Sequence, residues 1–132
     1  MKACIFMLVL FIVSWSAPAQ AVPAATQNRI IYGIASFYSK SLEGTATATG
    51  ETFRHKSYTG ASNNFKLGTW LRVTNLRNGK SVIIRVNDRM HKRMEKKGRV
   101  VDLTRAAAIE LDFIKRGITR VKVEVVPEGT VE

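Results

Sequence analysis

A chain of 132 residues, 45% apolar and 23% charged, is an ordinary single globular domain, long enough to bury a core and too apolar to be a disordered tail. Its formal charge of +11 calls for an anionic partner or simply for solubility. The one cysteine, Cys4, lies in a leader-like segment, which excludes a disulfide framework, a thiolate metal site and a cysteine nucleophile from the domain that follows.

Met1–Ala21 reads as a secretory signal. Lys2 supplies the positive start, Ile5–Val13 the apolar stretch, and Ala19-Gln20-Ala21 the small-x-small cleavage site. The apolar stretch is short of the ~20 residues that span a bilayer. A retained anchor is the alternative reading. Cys4 precedes the apolar stretch, so it is not the cysteine of a lipoprotein signal, and the chain is expected to be exported without lipid. Export argues against nucleic acid as the polyanion and for anionic polymers of the cell envelope.

Residues 22–29 form a short lead without periodicity. Ile30–Tyr38 predicts the first strand, with Gly33 as a candidate bulge. One of Phe37 and Tyr38 is expected in the core. Ser39–Glu51, rich in Ser, Thr and Gly, predicts an irregular loop anchored by Phe53. Tyr58–Ser62 predicts a short strand. Asn63–Gly68 predicts a turn with Phe65 and Leu67 inward.

The clearest pattern runs from Thr69 to Arg89. Leu71, Val73 and Asn75 alternate on one face of a strand, and Val82, Ile84 and Val86 on one face of the next. Asn78-Gly79 between them predicts a hairpin turn in which both residues take positive φ. The returning strand ends on Asn87-Asp88-Arg89. On residue type alone, Asp88 reads as a solvated aspartate capping a turn. Its place at a strand end before a polar loop is also where a scaffold presents chemistry. Trp70, at a strand start, serves either core packing or sugar stacking.

Met90–Arg99 predicts a basic loop or ragged helical turn, and Val100–Leu103 a short strand. Thr104 can cap a helix over Arg105–Asp112, with Ala107, Ala108 and Leu111 buried. Thr119–Val126 predicts the last strand, with Val121, Val123 and Val125 inward. Residues 127–132 form a tail. Six short strands, one short helix and one hairpin predict a mainly β domain over residues 30–126, closed into a barrel so that no edge is left exposed.

Four segments in this order resemble the rare lipoprotein A family: GIASFY (Gly33–Tyr38), TATGETF (Thr47–Phe53), LGTWLRVTNLRNGKSVIIRVNDR (Leu67–Arg89) and RVVDLTRAAAIEL (Arg99–Leu111). The resemblance implies a six-stranded double-psi β-barrel of the barwin and expansin type. It also implies an exported lytic transglycosylase, which cleaves the glycosidic bond between N-acetylmuramic acid and N-acetylglucosamine in peptidoglycan and leaves a 1,6-anhydro end. No metal or organic cofactor is implied. By position, Asp88 and Glu51 correspond to two catalytic carboxylates of the family, and Ser62 stands where the family has a histidine. Tyr38, Asn87 and Arg89 are the candidate substrate contacts. An ion pair of Arg89 with Asp88 is expected to orient the carboxylate. His55 and His91 read as loop histidines, and Asp102 as a structural residue before a helix. Because serine cannot carry a proton as imidazole does, an expansin-like, non-catalytic glycan-binding module is the alternative. A basic polyanion binder is a third class.

Overall fold

The computed structural model describes residues 29–132. The expected signal, Met1–Ala21, and nearly all of the lead after it lie outside the described residues. The six strands are β1 (Ile30–Phe37), β2 (Thr59–Ala61), β3 (Trp70–Asn75), β4 (Ser81–Asp88), β5 (Arg99–Leu103) and β6 (Thr119–Val126). Two short helices, α1 (Lys92–Lys96) and α2 (Arg105–Glu110), flank β5, and a single 3-10 turn covers Lys40–Leu42.

The strands close in the order β1-β5-β2-β4-β3-β6. β1 runs parallel to β5 and β2 parallel to β4, while the other neighbours are antiparallel. Both parallel pairs break register. Ile34 pairs with Arg99 and Ala35 with Val101, so Val100 is extra. Gly60 pairs with Val86 and Ala61 with Asp88, so Asn87 is extra. Such a bulge turns the chain and re-aims the side chains after it. The second one places Asp88 at the barrel end.

Alternation decides what enters the barrel. Leu71 and Val73 from β3, Val82, Ile84 and Val86 from β4, Val101 and Leu103 from β5, and Val121 and Val123 from β6 are all buried. Ala107, Ala108 and Leu111 close one end with Phe113. Asn75 is the polar member of this core. Its Nδ2 donates to the Leu111 carbonyl at 2.8 Å, and its Oδ1 accepts from Thr119 at 2.8 Å and from the Arg77 N–H at 3.0 Å. A buried amide so fully bonded costs little and ties β3, β6 and the helix end together.

Several local expectations are corrected. The β3–β4 turn is longer than a two-residue hairpin: Gly79 N–H donates to the Asn75 carbonyl at 2.8 Å, and only Gly79 takes positive φ, at 75°. Asn78 instead spends its side chain on the Leu111 carbonyl and the Lys80 N–H, both at 3.0 Å. Gly33 is not the bulge. It is a close approach, since a Cβ there would lie 2.3 Å from Cγ1 of Val100, the bulged residue opposite. Leu67 is 39% exposed rather than inward. Of the two readings of the basic stretch, the helical turn is the one found: α1 is capped by His91 Nδ1, which accepts from the Arg93 N–H at 3.1 Å. The helix α2 ends at Glu110, ahead of the expected Asp112, because Asp112 takes the left-handed conformation at φ 56°.

Candidate active site

Two carboxylates, Asp88 and Glu51, flank one tight loop at the β4 end of the barrel, Asp88 bonded to the loop tip and Glu51 in the loop itself. The loop is pinched where Ala46 pairs with Thr52 and where Thr47 N–H donates to the Glu51 carbonyl at 2.9 Å. Phe53, 2% exposed, anchors it in the interior. Its tip lies along β4: Thr49 N–H donates to the Asn87 carbonyl at 3.2 Å, and Ala48 N–H donates to Asp88 Oδ1 at 3.0 Å.

Asp88 is held from three directions. Oδ1 accepts from the N–H groups of Ala48 and Arg89, the latter at 2.9 Å, and Oδ2 accepts from the Tyr38 hydroxyl at 2.7 Å. The Tyr38 ring rests on Phe53 with centroids 4.3 Å apart, so the anchor of the loop is also the support of the tyrosine. Burial, then the hydrogen bond to Asp88, pushes the Tyr38 phenol well above its ordinary pKa. It therefore stays a donor. The Arg89 guanidinium does not pair with Asp88 as expected. It donates instead to the carbonyls of Ser62 and Phe65 and braces the segment after β2.

Glu51 has a different environment. Arg85 grips it with two parallel bonds, Nη1 to Oε1 and Nη2 to Oε2, each 2.6 Å, and Thr49 Oγ1 donates to Oε1 at 2.9 Å. The Arg85 guanidinium is the main cause of a Glu51 pKa lowered to about 2, with Thr49 and the Asn87 amide adding to it. Glu51 is thus an anion at any physiological pH and has no proton to give. Arg85 is a residue that sequence reading missed. The available signal was a lone arginine at an outward position of a β-branched strand, three residues before Asp88.

Ser62, at the position where a histidine was expected by resemblance, is fully buried. Its hydroxyl donates to the Val100 carbonyl at 2.8 Å and accepts from the Asn64 N–H at 3.2 Å, and its N–H donates to the Asp88 carbonyl at 3.1 Å. It joins the two bulges rather than facing the carboxylates. Asn87 is 3% exposed, with Oδ1 unpartnered. His55 Nε2 donates to the Ser39 carbonyl at 3.1 Å, and its ring packs edge-on against Phe53, while His91 caps α1. Asp102 accepts from Ser36 of the neighbouring β1 and from Arg99 of its own strand, and it is in register with Ala61, which in turn is in register with Asp88. Among the described residues no cluster of three His, Asp or Glu is placed to hold a metal ion.

The family profile described as "Lytic transglycolase" matches residues 30–123. The chain belongs to this family. Rare lipoprotein A relatives within it carry the match. A Pasteurella multocida protein named "Endolytic peptidoglycan transglycosylase RlpA" is 45% identical over 71% of this chain and 31% of its own. Its namesake from Pseudomonas aeruginosa is 48% identical over 70% of this chain and 26% of its own. That from Neisseria meningitidis is 38% identical over 85% of this chain and 44% of its own. The chain therefore spans less than half the length of these relatives. Among solved structures, a Streptomyces papain inhibitor (TM-score 0.59, 21% identity, 75% of this chain and 96% of that one) has the same fold. So does an expansin from Clavibacter michiganensis (TM-score 0.59, 21% identity, 78% of this chain and 53% of that one). These two likenesses show the fold alone: a double-psi β-barrel, in agreement with the closed six-stranded order and its two bulged parallel pairs.

Proposed function

We propose that this domain is an exported lytic transglycosylase acting on peptidoglycan glycan strands, with Asp88 as acid and base and Glu51 as the fixed anion beside it. The observation that carries this reading is the geometry of Asp88, whose carboxyl group stands at the bulged strand end fixed in orientation by Tyr38 and the N–H groups of Ala48 and Arg89. The family and the names of the relatives support the reaction class.

The reaction needs no water. The bond between muramyl C1 and the leaving O4 breaks, and the muramyl C6 oxygen bonds to C1. Protonated Asp88 gives its proton to O4 as that bond breaks, and the resulting carboxylate accepts the C6 hydroxyl proton. The net transfer is one proton from O6 to O4, and Asp88 ends as it began. Positive charge develops at C1 and the ring oxygen in between, and the Glu51 carboxylate stabilises it electrostatically. Tyr38, the Ala48 N–H and the Arg89 N–H fix the Asp88 carboxyl plane, so little motion is spent on orientation.

A non-catalytic glycan binder is the second reading, and Ser62 favours it: the position holds no group that titrates near neutral pH, and its hydroxyl is committed to Val100. Incubating the protein with purified sacculi and analysing released fragments by mass spectrometry separates the two. Muropeptides with 1,6-anhydro ends, lost in Asp88→Asn, are the expected result. Retention on sacculi with no released fragment would leave only the binder.

A further inference from the structure

Glu51 faces more than the loop. An open cleft of ≈ 360 Å³ lies against the outward side of β2, β4 and β3, lined by Trp70, Tyr58, Arg54, Arg85, Glu51 and Asn87 among others. Its floor is a register row, with Trp70 of β3 opposite Arg85 of β4 and Arg85 opposite Thr59 of β2. Three strands spaced ~4.8 Å apart make a floor about 10 Å across, the breadth of a pyranose ring with its substituents. Asp88 is not in this cleft. The contacts run from Asp88 through the Ala48-Thr49 tip to Glu51, and from Glu51 through Arg85 to Trp70.

Trp70 is not needed by the core. Leu71 and Val73 on the same strand point inward and are fully buried, and Trp70, on the other face, keeps part of its surface in the cleft. Tyr58, 45% exposed, stands at the same cleft with its hydroxyl directed to Glu110 at 3.2 Å. An aromatic face beside a carboxylate–guanidinium pair offers an apolar platform and, next to it, fixed acceptors and donors. A β-1,4-linked N-acetylhexosamine presents those two surfaces: axial C–H groups on one face, and an isolated hydroxyl beside an acetamido group at the edge.

We infer that this cleft is a saccharide subsite, in which Trp70 stacks on one ring of the glycan strand while Glu51 and Arg85 bond the hydroxyl and acetamido groups at its edge, next to the ring held at Asp88. The inference rests on the glycan-strand reading above. It gives the Arg85–Glu51 pair two tasks, fixing the anion for the reacting ring and recognising the neighbour. It also predicts that affinity depends on rings beyond the scissile bond.

The sequence makes the test clean. Its two tryptophans are Trp15 and Trp70, so in a Trp15→Phe chain Trp70 is the only indole that fluoresces. With Asp88→Asn added to stop turnover, peptide-free glycan strands prepared from sacculi are titrated in. Saturable change in Trp70 emission is the expected result. Trp70→Ala should weaken strand binding, measured by co-sedimentation with sacculi, by about tenfold, and Trp70→Tyr should restore most of it. Unchanged emission at strand concentrations that saturate co-sedimentation overturns the subsite, as does a Trp70→Ala affinity equal to that of its parent. The catalytic reading is judged separately: 1,6-anhydro product from Asp88→Asn sinks that reading and leaves the Trp70 result to stand on its own.

Discussion

The Tyr38 hydroxyl donates to Asp88 Oδ2 at 2.7 Å across fifty positions of sequence, from just past the end of β1 to the end of β4. One side chain thus reports on the other. Tyr38→Phe keeps the ring on Phe53 and removes only the donor. Turnover should fall by about tenfold or more through misorientation of Asp88, with a stability loss of only ~1 kcal/mol. Steady-state release of muropeptides and a denaturant titration check the two parts; equal loss of both would make Tyr38 a packing residue.

Asp88→Asn nearly preserves shape and removes the proton chemistry. Product formation should drop by roughly 10²–10⁴-fold with the fold intact by circular dichroism. Glu51→Gln should also lower turnover strongly, since an amide cannot stabilise positive charge at C1. Normal product from either variant contradicts its assigned role.

The Arg85–Glu51 pair makes a prediction in pH. Arg85 lowers the Glu51 pKa in the folded state to about 2. A depressed carboxyl pKa contributes stability that is present above the unfolded value, near 4.5, and is lost as pH falls toward the folded value. The contribution is small, because the pair is partly exposed. The Glu51 carboxyl should remain ionised from pH 7 down to about pH 3, so it contributes no limb to the activity profile in that range. Arg85→Met should raise the Glu51 pKa toward the ordinary range, measured by carboxyl carbon NMR. An unmoved Glu51 titration would show that the guanidinium is not what holds the anion.

Ser62 makes its bonds to the Val100 carbonyl and the Asn64 N–H with nothing exposed. Ser62→Ala should cost ~1 kcal/mol and leave the rate per folded molecule within about twofold. A larger rate loss in protein of normal stability would give the hydroxyl a catalytic part.

Gly79 sits at φ 75° and closes the β3–β4 turn. Gly79→Val forces a β-branched residue into that region and should cost ~1–2 kcal/mol, seen as a lower Tm. Nothing lies within 4 Å of a Cβ placed there, so the loss would be conformational rather than steric. An unchanged Tm would mean that the turn rearranges freely.

Four exposed cations, Lys92, Arg93, Lys96 and Lys97, lie on or next to α1, and none is in an ion pair among the described residues. Retention on sacculi that carry anionic polymer should weaken as salt rises, and replacing the four by Gln should flatten that dependence. Retention indifferent to salt would make these charges a solubility feature.

Alternation in β3, β4 and β6 determined which residues face the core, because a pleated strand sends successive side chains to opposite sides and only one side of each strand meets the others in a barrel. Thr104 before three alanines determined a helix start, and Val82 to Asp88 determined that a carboxylate would stand at a strand end. These are local properties, carried by neighbouring residues. What only the tertiary structure decided is who meets whom. Arg85 lies 34 positions from Glu51, and Tyr38 50 from Asp88, and no periodicity connects them. The bulge at Asn87, the bonds of Arg89 to the Ser62 and Phe65 carbonyls, and the burial of Ser62 between two bulges all depend on the register of strands brought together by closure. So does the difference in what holds the two carboxylates, a guanidinium for Glu51 and a phenol with two N–H groups for Asp88. The ionisation of Glu51 is set by the groups that folding places within a few ångströms, and those come from distant parts of the chain.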